Sequence, residues 1–138
     1  MMKAYEIGTE DMDGVYWSRI VWAETAGNAK YQGMDDEEIG APDDFIKIRC
    51  HRKPWADKYY HSNISYDELM LKRIEHGMTL YADPTDYGDI TTKADVPLIR
   101  KVGGLNMFFG MYQNGQIYFS ERIGRFVEIK EADDEQKN

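Results

Sequence analysis

The order of elements predicted at the start of the chain constrains its fold more than any other feature. Alternating or β-branched runs at Lys3–Ile7, Val15–Ala23 and Phe45–Arg52 predict three strands. A helix of small residues, Ala26–Tyr31, lies between the second and third runs, with Thr25 as its N-cap. Strand, strand, helix, strand within one short stretch predicts an α+β fold.

The patterns of these strands predict where each one lies. Asp13-Gly14 indicates a hairpin turn between the first two strands. The second strand is β-branched and aromatic on both faces, which is typical of a strand that is central or covered on both sides. Alternation in the third strand puts Ile46, Ile48 and Cys50 on one face, and Lys47, Arg49 and His51 on the other.

A second helix has the clearest local signal in the chain. Ser65 is predicted to cap it, and Glu68 three residues later completes a capping box. Gly77 is its predicted terminal residue. Its predicted buried stripe consists of Tyr66, Leu69, Met70 and Ile74.

The remaining patterns predict short elements. Met78–Tyr81 is expected to be a strand, and Asp95 is expected to cap a short helix through Val102. Asn114-Gly115 predicts a hairpin between Asn106–Tyr112 and Ile117–Ser120. A last strand is expected at 126–129.

These elements together predict one compact α+β domain over residues 1–130. It comprises an N-terminal unit, 1–54, and a second unit with the capped helix and the C-terminal hairpin, 65–130. Residues 131–138 are expected to be a disordered acidic tail. A chain of 138 residues is long enough to bury one core of its own.

Charge and composition restrict the classes of function. The net charge of −8 disfavours a general affinity for nucleic acid, which needs clustered Lys and Arg. No run approaches the roughly 18 apolar residues of a membrane span, and the first residues have no apolar signal core. Cys50 is the single cysteine, so no intramolecular disulfide can form. A cytoplasmic protein is expected.

The sequence offers no catalytic, cofactor-binding or metal-binding pattern. Cys50, His51, His61 and His76 do not have the spacing of a zinc site. His51 cannot serve Cys50 as a base, because neighbouring strand residues point to opposite faces. The chain also lacks a glycine-rich phosphate loop. No catalytic residue, cofactor or metal is therefore expected.

One segment combines basic and aromatic side chains, a composition found in contact surfaces. Tyr, Trp and Arg are enriched in protein-binding hot spots, and basic residues with aromatics also bind single-stranded nucleic acid. The alternative interpretation of this segment is a sheet face whose cations pair with the chain's own acidic loops. The candidate partner-binding residues are Lys47, Arg49, His51, Arg52, Trp55, Tyr59 and Tyr60, with Lys53 and Lys58 beside them.

The first third of the chain resembles an N-terminal module of small uncharacterised phage and prophage proteins. The residues that carry the resemblance are Lys3-Ala4-Tyr5-Glu6-Ile7, the run Ile20–Tyr31 (IVWAETAGNAKY) and Phe45–Arg49 (FIKIR), followed by Arg52 and Pro54. The resemblance implies a phage or prophage origin and does not indicate any catalytic activity.

In some proteins of that group a cysteine-rich zinc module is expected to follow. In this chain Ala82, Thr85, Phe119 and Ile123 would stand at its ligand positions, and none of these side chains binds zinc. The hypothesis is that the second half is a zinc-module scaffold in which apolar packing replaces the metal. Stoichiometric zinc in the purified protein would contradict it.

The sequence thus predicts a non-catalytic protein-binding module, a phage accessory protein that contacts a host or phage protein. An inhibitor of a host nucleic-acid-binding or defence protein is one alternative. A small hydrolase with a carboxylate and histidine site is another. A homodimer that buries exposed Trp and Tyr residues at a two-fold interface also remains open.

Overall fold

The computed structural model of the chain describes residues 1–82 and 89–129. It confirms the α+β class. The chain divides into two compact units, Met1–Asn63 (unit 1) and Ile64–Asn138 (unit 2). The predicted tail, 131–138, lies outside the described residues. None of the described helices combines the length and the apolar character needed to cross a bilayer.

Unit 1 is built on a three-stranded antiparallel sheet with the strand order β2-β1-β3. Its strands and its α-helix are β1 (Lys3–Glu10), β2 (Tyr16–Ala23), α1 (Ala26–Gln32) and β3 (Arg49–Arg52). Three 3-10 helices lie at Glu37–Ile39, Phe45–Lys47 and Pro54–Tyr59. Tyr5 in the middle strand stands opposite both Val21 and Arg52.

The core of unit 1 forms where α1 packs on one face of this sheet. Thr25 caps α1 as predicted, because its Oγ accepts the backbone N–H of Asn28 at 3.1 Å. Ala29 is fully buried, and its small side chain lets the helix approach the strands closely. The core side chains are Tyr5, Ile7, Val21, Ala23, Ala29, Ile39 and Ile48.

The second strand, predicted to be central or covered on both sides, is not central. β1 is the central strand, because β3 pairs with it and leaves β2 at an edge. Only the second half of β2 is covered on both faces. Val21 faces the core, while Trp22 on the other face donates its indole N–H to the carbonyl of Ala56 at 2.9 Å. Trp17 in the first half is 44% exposed.

The third strand is shorter than predicted. Asp44 accepts the N–H of Ile46 at 3.0 Å and starts a 3-10 helix over Phe45–Lys47, so the strand begins only at Arg49. Ile46 is 86% exposed, and its predicted place on the buried face is wrong. Lys47 lies in the 3-10 helix and does not share a strand face with Arg49.

In its described residues, unit 2 combines three α-helices and one 3-10 helix with two separate two-stranded antiparallel sheets. Its elements are α2 (Tyr66–Glu75), β4 (Leu80–Tyr81), β5 (Ile90–Thr91), a 3-10 helix (Lys93–Asp95), α3 (Val96–Val102), α4 (Leu105–Gln113), β6 (Ile117–Ser120) and β7 (Arg125–Glu128). β4 pairs with β5 and β6 pairs with β7. A C-terminal hairpin is present as predicted, but β6 pairs with β7 rather than with Asn106–Tyr112.

The strand predicted at Asn106–Tyr112 is wrong, because this segment is the helix α4. Leu105 and Phe108 repeat at helical spacing and are buried. Asn114 and Gly115 end the helix, and Gly115 has a φ of +76°. The hairpin forms instead between β6 and β7, close to the predicted last strand.

The predicted Ser65 N-cap of the second helix is correct, the Glu68 carboxylate of the predicted capping box binds Arg100, and the predicted buried face is partly wrong. Ser65 Oγ accepts the N–H of Glu68 at 3.1 Å, as an N-cap does. Ile74 is buried as predicted, but Tyr66 is 63% exposed, and Leu71 faces the core. Leu69 and Met70, the other two residues of the predicted stripe, are half-buried.

The short helix before the hairpin starts differently from the prediction. Thr92, rather than Asp95, is the capping residue. Thr92 Oγ accepts the N–H of Ala94, and the Asp95 side chain accepts the N–H of Thr92. Asp95 is therefore the N3 residue of a capping box, three positions after the cap, and is buried.

Two of the four positions assigned to a lost zinc site belong to the apolar core of unit 2. Ala82 is fully buried, and the Phe119 ring lies 5.4 Å from that of Phe126 between centroids. Ile123 is 44% exposed and contributes little apolar packing. Thr85 lies outside the described residues. The lost zinc module remains a hypothesis.

Candidate functional site

The outer face of the unit 1 sheet, opposite the core, carries an exposed aromatic ring in a fixed position. Tyr16 lies across Gly8 of the neighbouring strand. A Cβ built on Gly8 would stand 2.6 Å from Tyr16 Cζ and 2.7 Å from the carbonyl oxygen of Trp17. Any side chain at position 8 would displace the ring or the backbone. Because Gly8 has no side chain, the Tyr16 ring, 36% exposed, packs directly against its backbone, and we call this position the seat of Tyr16.

Arg49 on β3 extends over this ring. Its guanidinium carbon lies 5.7 Å from the centroid of Tyr16, within the range of a cation–π contact. Its Nη2 also lies 3.0 Å from Oε2 of Glu10. Both partners of this ion pair are about half exposed, so the pair is worth at most about 1 kcal/mol. A carboxylate from another molecule can therefore replace Glu10 at little cost.

His51 stands two residues along β3 from Arg49 and shares its outer face. His51 is exposed, and its backbone is opposite Glu6 of β1. We call Tyr16, Arg49 and His51 the β3 surface. Lys47 is exposed on the preceding 3-10 helix.

Arg52, a further predicted contact residue, has a structural role. Its guanidinium forms two hydrogen bonds to the carboxylate of Asp57, at 2.6 and 2.5 Å, and one to the carbonyl of Ala4 at 3.0 Å. Asp57 also accepts the N–H of Ala4 at 2.7 Å. The hydrogen bond from Arg52, with that from Ala4, lowers the pKa of Asp57. Arg52 thus fixes the start of β1 to the 3-10 helix at Pro54–Tyr59.

The predicted aromatic residues lie on and after that 3-10 helix. Trp55 and Tyr59 are half-buried, and Lys58 lies 5.3 Å above the ring of Tyr59. Tyr60 is 37% exposed, and its ring centroid lies 3.9 Å from that of His61. We define the β3 surface without these rings, because they lie on and after a different element.

Sequence reasoning identified Arg49 and His51 and missed Tyr16, Gly8 and Glu10. The available signal was Gly8 itself, because a glycine inside a strand often marks a close approach of another group. The register of the first hairpin places Tyr16 opposite Glu10 and Ser18 opposite Gly8. That register sets the tyrosine diagonally across the glycine.

The carboxyl groups of Glu75 and Asp11 have lowered pKa values, because each accepts a stabilising hydrogen bond. The pKa of Glu75 is lowered chiefly by its hydrogen bond from Arg100, and that of Asp11 by its hydrogen bond from the Trp17 indole. Burial raises the pKa of the Cys50 thiol, which opposes its use as a nucleophile. Within residues 1–82 and 89–129, no group of three or more His, Cys, Asp or Glu residues is arranged to hold a metal ion.

Comparisons with known proteins do not assign the chain to a family. It gives no significant match to a protein-family model, to a curated protein or to a solved structure.

Proposed function

We propose that unit 1 is a non-catalytic protein-binding module and that the β3 surface is its contact site. The observation that carries the proposal is the Tyr16 ring, seated on Gly8 beneath the guanidinium of Arg49. Tyr and Arg are enriched in binding hot spots. A ring already held in place loses little conformational entropy on binding.

The distribution of charge supports a protein partner. Residues 45–63 contain five Lys or Arg residues and one acidic residue, whereas residues 1–44 contain three and eleven. The local basic surface attracts a partner that presents carboxylates. The acidic remainder of the unit repels extended polyanions at longer range, which disfavours nucleic acid.

The biological setting is part of the proposal and comes from the resemblance of the first third of the chain. We propose a phage or prophage accessory protein that acts in the bacterial cytoplasm on a host or phage protein. Inhibition of a host nucleic-acid-binding or defence protein is an alternative, in which the acidic residues of the chain rather than the β3 surface would make the contact. A nucleic acid as the direct ligand is disfavoured by the net charge of −8.

The hydrolase alternative has weaker support. Three carboxylates of the described residues, those of Asp57, Glu75 and Asp95, bind arginines or backbone N–H groups. Such contacts stabilise a carboxylate and do not prepare it as a general base.

The test is affinity capture from a bacterial host lysate with three matched baits. Arg49→Glu reverses the charge on the β3 surface, and Lys93→Glu makes the same reversal at an exposed position of unit 2. We expect a protein that remains through a salt wash with the wild type and Lys93→Glu and is lost with Arg49→Glu. Equal recovery with all three baits would refute the β3 surface as the contact site. Arg52 is unsuitable for this test, because its substitution disturbs the start of β1.

A further inference from the structure

The unit 1 sheet has an open edge beside the β3 surface. Lys53 donates its backbone N–H to the carbonyl of Ala4 at 3.0 Å. Because peptide groups alternate in direction along a strand, those of Arg49 and His51 also face β1, and those of Cys50 and Arg52 point away from it. In the part of the chain that the structure describes, no strand pairs with β3 on that outer side.

The opposite edge of the sheet differs. There the side chain of Gln32 on α1 donates to the carbonyl of Trp22 at 2.9 Å. This side chain occupies a backbone acceptor that an added strand would use. The edge at β3 is therefore the better candidate for strand addition.

The side chains of β3 restrict what can pair with its edge. Arg49 and His51 lie on one face of the strand and Arg52 on the other. A second copy of β3 would bring arginines close to arginines across the new pair, which is unfavourable. An acidic strand would instead place carboxylates beside them.

We propose that β3 accepts, as a fourth strand, an extended acidic segment of another protein, with carboxylates at alternate positions beside Arg49 and His51. The inference rests on the proposed function and specifies the chemistry of its partner. Hydrogen bonds to the outward peptide groups of Cys50 and Arg52 supply affinity, and the alternating carboxylates supply specificity. The exposed pair between Arg49 and Glu10 is exchanged for one with the partner.

The test uses two labelled peptides of about eight residues, a usual strand length. One alternates Thr with Glu and the other alternates Thr with Lys. We expect saturable binding of the Glu peptide, measured by fluorescence anisotropy, and none of the Lys peptide. At saturation, exchange of the Cys50 and Arg52 amide protons of the wild type should slow.

A matched pair of variants tests the role of the backbone. Cys50→Pro removes one outward N–H and leaves the peptide groups of Arg49 and His51 on β1, and proline is tolerated at such edge positions. Cys50→Ala changes the same side chain and keeps the N–H. We expect Cys50→Pro to bind the Glu peptide about tenfold more weakly than Cys50→Ala, the effect of losing one hydrogen bond.

Three outcomes would overturn the inference. They are no saturable binding of the Glu peptide, unchanged amide exchange at saturation, and equal affinities of Cys50→Pro and Cys50→Ala. The exchange measurement stands even where Cys50→Pro folds poorly. A captured partner that is lost with Arg49→Glu but binds both Cys50 variants equally would remove strand addition and leave the proposed function intact.

Discussion

The carboxylate of Asp95 accepts the backbone N–H of Phe126 at 2.8 Å, across 31 positions of the chain. Its second oxygen accepts the N–H of Thr92 at 2.9 Å. Asp95 is 1% exposed, so each oxygen satisfies a donor that water does not reach. One buried carboxylate thus joins the start of a helix to β7.

Replacing Asp95 with Asn should destabilise unit 2 by about 1–3 kcal/mol. The amide group presents an N–H₂ where one of the two N–H donors needs an acceptor, so a buried donor is left unsatisfied. Urea unfolding followed by far-UV circular dichroism measures the change. Glu121→Gln, the same type of change at an exposed position, is the control and should be neutral. Equal stability of the two variants would contradict the assigned role.

Phe126→Ala should lower the free energy of unfolding by about 3–5 kcal/mol. The ring is fully buried and meets three others edge to face, those of Phe108, Tyr112 and Phe119, with centroids 5.2 to 5.6 Å away. Tyr118→Ala on the paired strand β6 is the comparison, because Tyr118 is 41% exposed. Its loss should change stability by less than about 1 kcal/mol. A similar loss in both variants would mean that Phe126 is not at the centre of the core.

The contact between Arg52 and Asp57 predicts a local effect on β1. In Asp57→Ala the N–H of Ala4 loses its acceptor and Arg52 loses its carboxylate. We expect faster hydrogen exchange at Ala4 and lower stability of unit 1. Glu24→Ala removes the same charge from an exposed position of unit 1 and should leave exchange at Ala4 unchanged. Unaltered exchange in Asp57→Ala would show that the contact does not hold β1.

The ion pairs of Arg100 with Glu75 and Glu68, at 2.6 and 3.1 Å, predict a pH dependence of stability. The pKa of Glu75 is lowered in the folded state, chiefly by the Arg100 hydrogen bond. This stabilisation is present above the ordinary carboxyl pKa and is lost as the pH falls below about 4.5 through the folded-state value. Because the pair is partly exposed, Glu75→Gln should cost at most about 1 kcal/mol at pH 7.

Urea unfolding of the wild type and Glu75→Gln at several pH values measures this effect. The difference between them should shrink as the solution is acidified to pH 3, and salt should also reduce it. A difference that is constant across this range would exclude an ionic origin.

Gly8→Ala should destabilise unit 1 by about 1–3 kcal/mol, because the new methyl group displaces Tyr16 or the backbone of Trp17. It should also weaken capture of the partner. Gly27→Ala is the matched control, since a Cβ there meets only Thr25 Oγ at 4.0 Å within α1. That change should be neutral or stabilise by up to about 1 kcal/mol. A neutral effect of Gly8→Ala would mean that the seat of Tyr16 is not tight.

Features that depend on neighbouring residues were predictable from the sequence. Thr25 and Ser65 cap their helices as expected, because an N-cap needs only the next three residues. The pairing of β1 with β2 follows similarly from their short connection. The exposure of Arg49 and His51 followed from the alternation of the strand.

Features that depend on distant partners or on competition between signals were not predictable. Asn114-Gly115 fits a hairpin turn and a helix end equally well, and the helical spacing of Leu105 and Phe108 decides between them. Asp44 starts a 3-10 helix where alternation alone predicted a strand. The seat of Tyr16 needs the register between β1 and β2, which composition does not contain.

Because the Tyr16 ring packs on Gly8, substitutions at the two positions should be coupled during evolution. A chain that gains a side chain at position 8 loses the seat, and selection on the ring is then relaxed. A chain that loses the ring exposes bare sheet at the glycine, which a larger residue can then cover. Positions 8 and 16 should therefore change together among relatives of this chain, and positions 8 and 27 should vary independently.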